Sequence, residues 1–558
     1  MSEMKDVNIN GLPPHLDADN SNVRIPEQKL DMLESDNPVV SANAYLGARE
    51  IFLGLHSGAD IIIAGRVADA SPVIGAAWYW HSWSPTDYDR LAGALIAGHL
   101  IECSGYVTGA NFSGFYEYPL DELYDLSFGI AEVESDGACI VTKHEGKRGF
   151  VTEDTVKCQF LYELQGNVYL NSDVKAVLDG VIVEKKGKNR YPAFPIFSLP
   201  SLRRVSCREK KSQGKTDRFA RVRVWGIKGA PPPPTTKLAV FYKAGYQCEL
   251  TINATGYATR EKYDLWERTI RFGLQRKGLM NKFDTLDFQR IGVPEQNPKS
   301  QLRSTTYLRL FAESTNANVL LGMAAVIAEM GMMHYSGFHC TLDSRTAMPL
   351  PYLSYYPATW PQDKLHTSIN ILGATDASNP GPKTIQTTPP PLFEALAKRQ
   401  SYETAHPVDL RSFGPTTTAR LGDIVLARSG DKGANANIGF FIPTSLPSSF
   451  PASSVLYTEA WDWLRCFLTI SKLKEMFAES WDDGFFVERV EFPRIMAVHF
   501  VVYGMLGKGV SGSSRLDSLG KGIGDWLLDV FVEVPVKFIG GRVRGRAVGG
   551  RYVGRERL

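Results

Sequence analysis

Apolar positions along the chain repeat with two periods, and the change from one to the other marks its elements. Ala48, Ile51, Phe52 and Leu55 fall at i, i+3, i+4 and i+7, the spacing of a helix with one buried face. The run Ile61 to Ile63 that follows is too short for a helix, and Gly65 interrupts it before a polar turn at Arg66 and Asp69. This pattern predicts a buried strand. Helix, strand, turn and helix in succession predict a parallel α/β unit, where ligands gather at the carboxyl ends of strands. Arg66 and Asp69 would emerge there as site residues, or they would pair only to pin a loop. A second helix is predicted after Pro85-Thr86-Asp87, with Leu91, Leu95 and Ile96 facing inward. His99 and Glu102 continue that stripe, which either lines a cavity or buries a hydrogen-bonded couple.

Farther along, the period shortens to two. Alternating runs at 131–134 and 138–142 predict antiparallel strands, and Thr152 followed by Glu153 and Asp154 predicts a capped helix start. Strands are expected again at 238–242 and 248–253, and helices at 258–278 and 318–330. Beyond a Pro- and Thr-rich stretch the spacing predicts strands at 423–427, 437–442, 485–490 and 497–503 and helices at 458–477 and 517–529. This order fits a small α+β sandwich with helices on one face. The organisation expected is a flexible leader at 1–37, an α/β core at 38–375 with a mobile insertion at 185–217, a linker at 376–417, the α+β domain at 418–535 and a basic tail at 536–558.

Composition narrows the class. At 558 residues, with 44% hydrophobic and 22% charged positions, the chain is globular and long enough for several cores. Its net charge of +2 conceals a basic tail that holds seven Lys/Arg against one Glu, so the body is mildly acidic. The Arg-Gly run at 540–546 is similar to segments that follow nucleic-acid backbones, but the body has no matching basic face, which weighs against a nucleic-acid partner. Seven scattered cysteines without a CxxC pair, no signal-peptide core and no apolar run of membrane length predict a cytoplasmic protein with no membrane partner.

The candidate chemistry lies in two places. Asp69, His99 and Glu102 are the acid–base candidates, with Arg66 and the amides of the Gly-punctuated loop at 109–111 placed to stabilise a developing oxygen charge. Arg428-Ser-Gly-Asp-Lys-Gly433 reads as a Gly-bounded loop after a strand. Arg428, Gly430, Asp431, Lys432 and Gly433, joined by Asn437, would bind an anionic cofactor group, or Asp431 would simply cap a tight hairpin. His334, His339 and Cys340 have no complementary ligand pair, so no metal site is expected, and GxSxG, GxGxxG and Walker spacings are absent.

Several ordered segments together resemble the acyclic terpene utilisation protein A family. They are Pro38 to Gly47, Gly65-Arg-Val-Ala-Asp-Ala-Ser71, Ala97 to Cys103, Val107 to Phe112 and Gly149 to Lys157, then Ala427 to Gly433 and Asn437-Ile-Gly439. The resemblance implies a long α/β region, a ferredoxin-like C-terminal domain, and a copy that begins after the family's usual first stretch. It also implies an enzyme of branched acyl-CoA, terpenoid or related specialised metabolism, with a lyase or hydratase-like step on a carboxylate or CoA ester. Its substrate would be a small acyl or terpenoid molecule, with coenzyme A entering as part of it rather than as a resident cofactor. A homo-oligomer, a noncatalytic accessory subunit and a degenerate copy stay open beside that reading.

Overall fold

The computed structural model describes residues 38–188, 220–340, 343–372, 383–397, 400–445 and 455–539. The expected leader, nearly all of the 185–217 insertion and most of the basic tail lie outside them. Among the described residues no helix is long and apolar enough to cross a membrane.

The first body is built on the helix Tyr88–Ile101, in which every residue from Leu91 to Leu100 is buried. Apolar side chains on all sides of a helix require cover on all sides. Helix Ser71–His81 supplies part of it and is backed in turn by helix Arg49–His56. A four-stranded sheet (Gly129–Val133, Cys139–Lys143, Ala220–Trp225, Ile182–Lys188) and a three-stranded one (Val168–Leu170, Lys175–Val177, Lys228–Ala230) supply the rest.

The second body is a six-stranded sheet whose spine is the 21-residue strand Thr235–Thr255. Leu350–Pro361 pairs along one of its edges, and Val39–Ala44 then Thr305–Ser314 along the other. Helices Thr259–Arg276 and Ala317–Glu329 cover it, with Trp266, Ile270, Leu274, Leu320 and Met323 in the shared core.

The third body is a four-stranded sheet ordered Leu426–Lys432, Asn435–Phe441, Ala497–Tyr503, Phe486–Phe492. Helices Val455–Phe467 and Ile470–Phe477 pack in the core on one face. The other face lies on the first body, and Leu426, Phe441, Val490 and Phe492 belong to that body's core. Between them stands the helix Glu153–Leu161, capped as predicted by Thr152, whose Oγ1 accepts from the Thr155 amide. Because it faces protein on both sides, all eight residues from Asp154 to Leu161 are buried.

Three expectations are corrected. Every sheet among the described residues is antiparallel, so the parallel α/β core expected at 38–375 is not the fold; parallel pairing is limited to isolated bridges such as Leu46 with Val67. Ile61 to Ile63 form an irregular loop instead of a buried strand, with Ile61 83% and Ile63 95% exposed. A β-branched run becomes a strand only where a partner strand meets it, and this one meets none. Residues 428–432 continue the strand Leu426–Lys432, so the expected loop shrinks to the two-residue turn Gly433-Ala434. Gly433 takes φ +64° there, as the first position of a primed hairpin turn requires.

Candidate functional site

The two strands of that hairpin are strictly two-faced, as the period of a strand demands. Ala427, Ala436, Ile438 and Phe440 point into the helix-covered core. Arg428, Gly430 and Lys432, with Asn437 and Gly439, turn to the first body. A Cβ at Gly439 would meet the Leu161 side chain at 2.8 Å, and one at Gly430 would meet the Tyr162 ring at 2.4 Å. Both glycines therefore let a helix end sit directly on the sheet. Asn437 fixes that end, donating to the Leu161 carbonyl (2.7 Å) and accepting from the Glu163 amide (3.0 Å). Arg428, 3% exposed in its side chain and backbone together, lies between the Tyr106 and Tyr162 rings at 4.6 and 4.2 Å and donates to the Asn111 carbonyl.

Lys432, the last residue of the strand, makes an ion pair with Glu163. Around this pair gather Glu102 and Cys103 from the end of the central helix, Tyr169, and Lys237 from the long spine strand. Lys237 sits 4.7 Å from the Tyr45 ring and 5.5 Å from that of Tyr355. All three bodies thus contribute. Solvent reaches the side chains of Glu102 (18%) and Lys432 (23%), and Lys237 is exposed, although all three are densely surrounded by protein. Groups that are crowded and yet wet line a recess.

The electrostatics of the recess are uneven. Burial, then the neighbouring charges of Glu163 and Asp69, pushes the Glu102 carboxyl up to about 7. Burial opposes ionisation of Glu163 as well, but the Lys432 charge and hydrogen bond prevail and hold it below the ordinary carboxylate range. Crowding and then Lys432 lower Lys237 to about 8, even though water touches it. His99 is fully buried and held down to about 4, mainly by burial. Its Nε2 pairs with the Phe160 carbonyl at 3.0 Å, and its Nδ1 faces Glu102 at 3.9 Å. A neutral ring held at Nε2 by a carbonyl carries its proton there, which leaves Nδ1 as an acceptor aimed at Glu102.

Some of the backbone's strained positions lie at the same place. Cys103, Ser104 and Glu163 all have φ near +58°, a region that side chains other than glycine occupy only where the surroundings impose it. The strain turns Glu102 and Glu163 into the recess from the ends of two different helices.

The predicted site residues fall into three groups. Glu102 and His99 lie at the centre, as a couple. Asp69 and Arg66 are exposed on the rim, where Asp69 acts on Glu102 and the Arg66 guanidinium stands 5.0 Å from the Tyr45 ring. Of the residues expected around a cofactor, Lys432 reaches the recess, and Asp431 is near enough to feel Glu163. Arg428, Gly430 and Asn437 lie at the seam between bodies, and Gly433 forms the turn beside Tyr355. Sequence reasoning did not find Glu163, Tyr169, Lys237, Tyr45 or Tyr355. The signal within reach was the acid that follows Tyr162 just beyond the predicted helix; the others come together only through tertiary structure.

Residues 10–371 match the model of the acyclic terpene utilisation family protein AtuA, and residues 419–533 match that of the AtuA ferredoxin-like domain. No curated protein and no solved structure matches the chain. With the first match alone spanning more than half of the sequence, the chain belongs to the acyclic terpene utilisation family AtuA and carries its ferredoxin-like domain.

Proposed function

We propose that the recess is an active site for proton transfer at the carbon beside a carbonyl, in a lyase or hydratase-like step on a branched or terpenoid acyl substrate. The observation that carries this reading is a carboxyl at about 7, Glu102, set beside the Lys432–Glu163 pair. A general base works best with a pKa near the working pH, and a fixed cation lowers the energy of an enolate oxygen. In this scheme Glu102 accepts the proton from carbon, Lys432 faces the oxygen on which charge collects, and protonated Glu102 returns the proton to carbon or delivers it to a leaving hydroxyl. His99 is a positioning residue, since its ring reaches Glu102 but not solvent. Membership of a family named for acyclic terpene utilisation supports a branched isoprenoid acid or its CoA ester as substrate, in the catabolic or specialised metabolism of such acids.

The test is isotope exchange, which requires no knowledge of the product. Branched acyl-CoA esters and the free acids are incubated with the protein in D2O and analysed by mass spectrometry. The wild-type protein should incorporate deuterium into at least one of them, and Glu102→Gln should slow incorporation by roughly 100-fold or more. Absence of exchange across the whole series with the wild-type protein would overturn the reading.

A further inference from the structure

Two cations on the rim of the recess are mounted on one aromatic ring. The Tyr45 amide donates to the Lys237 carbonyl (2.8 Å), and the next residue, Leu46, donates to the Arg66 carbonyl (3.1 Å) and accepts from the Ala68 amide (2.9 Å). The Tyr45 carbonyl accepts from Ser172 and Thr236, each at 2.6 Å. The backbones that bear Tyr45, Lys237 and Arg66 are thus tied into one frame. From that frame the Arg66 guanidinium and the Lys237 ammonium approach the Tyr45 ring to 5.0 and 4.7 Å.

Among the described residues neither cation has a carboxylate within ion-pair distance. The acids nearest in effect are Glu163, which is committed to Lys432, and Asp69, which is exposed. Lys432 adds a third positive charge that acts on Lys237. Arg66 is near enough to Lys237 for the two charges to oppose each other, a cost that an anion reaching both would remove, and a guanidinium and an ammonium both suit the oxygens of a carboxylate or a phosphate.

From this frame we infer that Arg66 and Lys237, carried on Tyr45, form a binding site for an anionic group of the substrate, a carboxylate or a phosphate. The inference rests on the acid–base reading of Glu102 only in calling the bound molecule a substrate. It assigns these residues to binding, with the reacting carbon left to Glu102.

The test is a titration read by thermal unfolding, with inorganic phosphate, acetate and coenzyme A as probes and ionic strength held constant with chloride. At least one probe should stabilise the wild-type protein saturably. Phosphate and coenzyme A acting without acetate identify a phosphate site, and acetate acting alone a carboxylate site. The double variant Arg66→Met, Lys237→Met should bind the active probe roughly 10-fold or more weakly, the loss expected for charge-assisted hydrogen bonds. Lys237→Arg, which keeps the charge but not the shape of the group, should bind the active probe more tightly than the double variant. Both positions are exposed, and a melting curve without probe verifies that the variants fold. No saturable stabilisation by any of the three probes, or equal binding by the double variant, would overturn the inference. Since the titration involves no turnover, its outcome is independent of deuterium exchange at Glu102, and either result can fail alone.

Discussion

Glu102 stands between a neutral imidazole nitrogen 3.9 Å away and two acids that discourage its charge. Its native pKa of about 7 lies above that of an unfolded glutamate, so between roughly pH 4.5 and 7 the native state holds a proton that the unfolded chain has released. Stability must then fall as pH rises through that window. Glu102→Gln should remove the fall and make the protein more stable than wild type at pH 8 by about 1–3 kcal/mol, with no gain at pH 4, in denaturant titrations at the two pH values. Glu163 has the opposite sign. Its pKa is lowered by Lys432, so the pair stabilises above the ordinary carboxylate range and loses that contribution as pH drops. Lys432→Met leaves a mostly buried, unpaired carboxylate and should cost roughly 3 kcal/mol at pH 7. Acidification from pH 7 to 5 should then stabilise the variant by more than it stabilises the wild type, in which Glu163 stays ionised and paired throughout, and urea unfolding at the two pH values would distinguish the two.

At the scale of elements, local period was enough wherever an element's neighbours matched its own pattern. The helix predicted at 318–330 is found at Ala317–Glu329, the strand predicted at 497–503 is Ala497–Tyr503, and Thr152 caps the helix it was expected to cap. Thr152→Ala should cost about 1 kcal/mol, measured by thermal unfolding. The helix expected at 458–477 is two helices, because Thr469 caps a second start by accepting from the Lys472 amide. Ile61 to Ile63 had the composition of a strand without a partner, which no local window reports. Residues 428–432 failed for the converse reason, since alternating charges and glycines look like a solvated loop until a second body covers them. Gly439 is the sharpest case. Its missing side chain is the space that Leu161 fills, so Gly439→Ala should destabilise by about 2–3 kcal/mol, with the loss visible in thermal unfolding and in earlier proteolysis near 400–415.

At the scale of the whole molecule, the described sheets are antiparallel even where paired strands lie far apart in the chain, as Val39–Ala44 and Thr235–Thr255 do, while the buried-run pattern near the front had pointed to parallel crossovers. The ferredoxin-like domain is held to the first body by buried polar bonds as well as by apolar contact. Asp154 accepts from the amides of Thr444 and Ser445, each at 2.7 Å, and Asn437 donates to the Leu161 carbonyl at the same distance. Asp154→Ala should therefore lower stability by roughly 2–3 kcal/mol, read in denaturant unfolding. The recess was legible only in part. Glu102 and His99 share one helix end and were within reach of a sequence window, whereas Lys432 and Lys237 lie 330 and 135 positions from Glu102 and meet it only after three bodies assemble.

The hairpin that ends at Lys432 fixes how this architecture can drift. Its side chains change sides at every step, so the interval from Arg428 to Lys432 is a matter of parity. Loss or gain of one position between them would carry the ammonium across the sheet into the apolar core while leaving overall resemblance almost intact. Descendants that retain the chemistry are therefore recognised by an even offset between the two cations, and an odd offset marks a copy that has given it up.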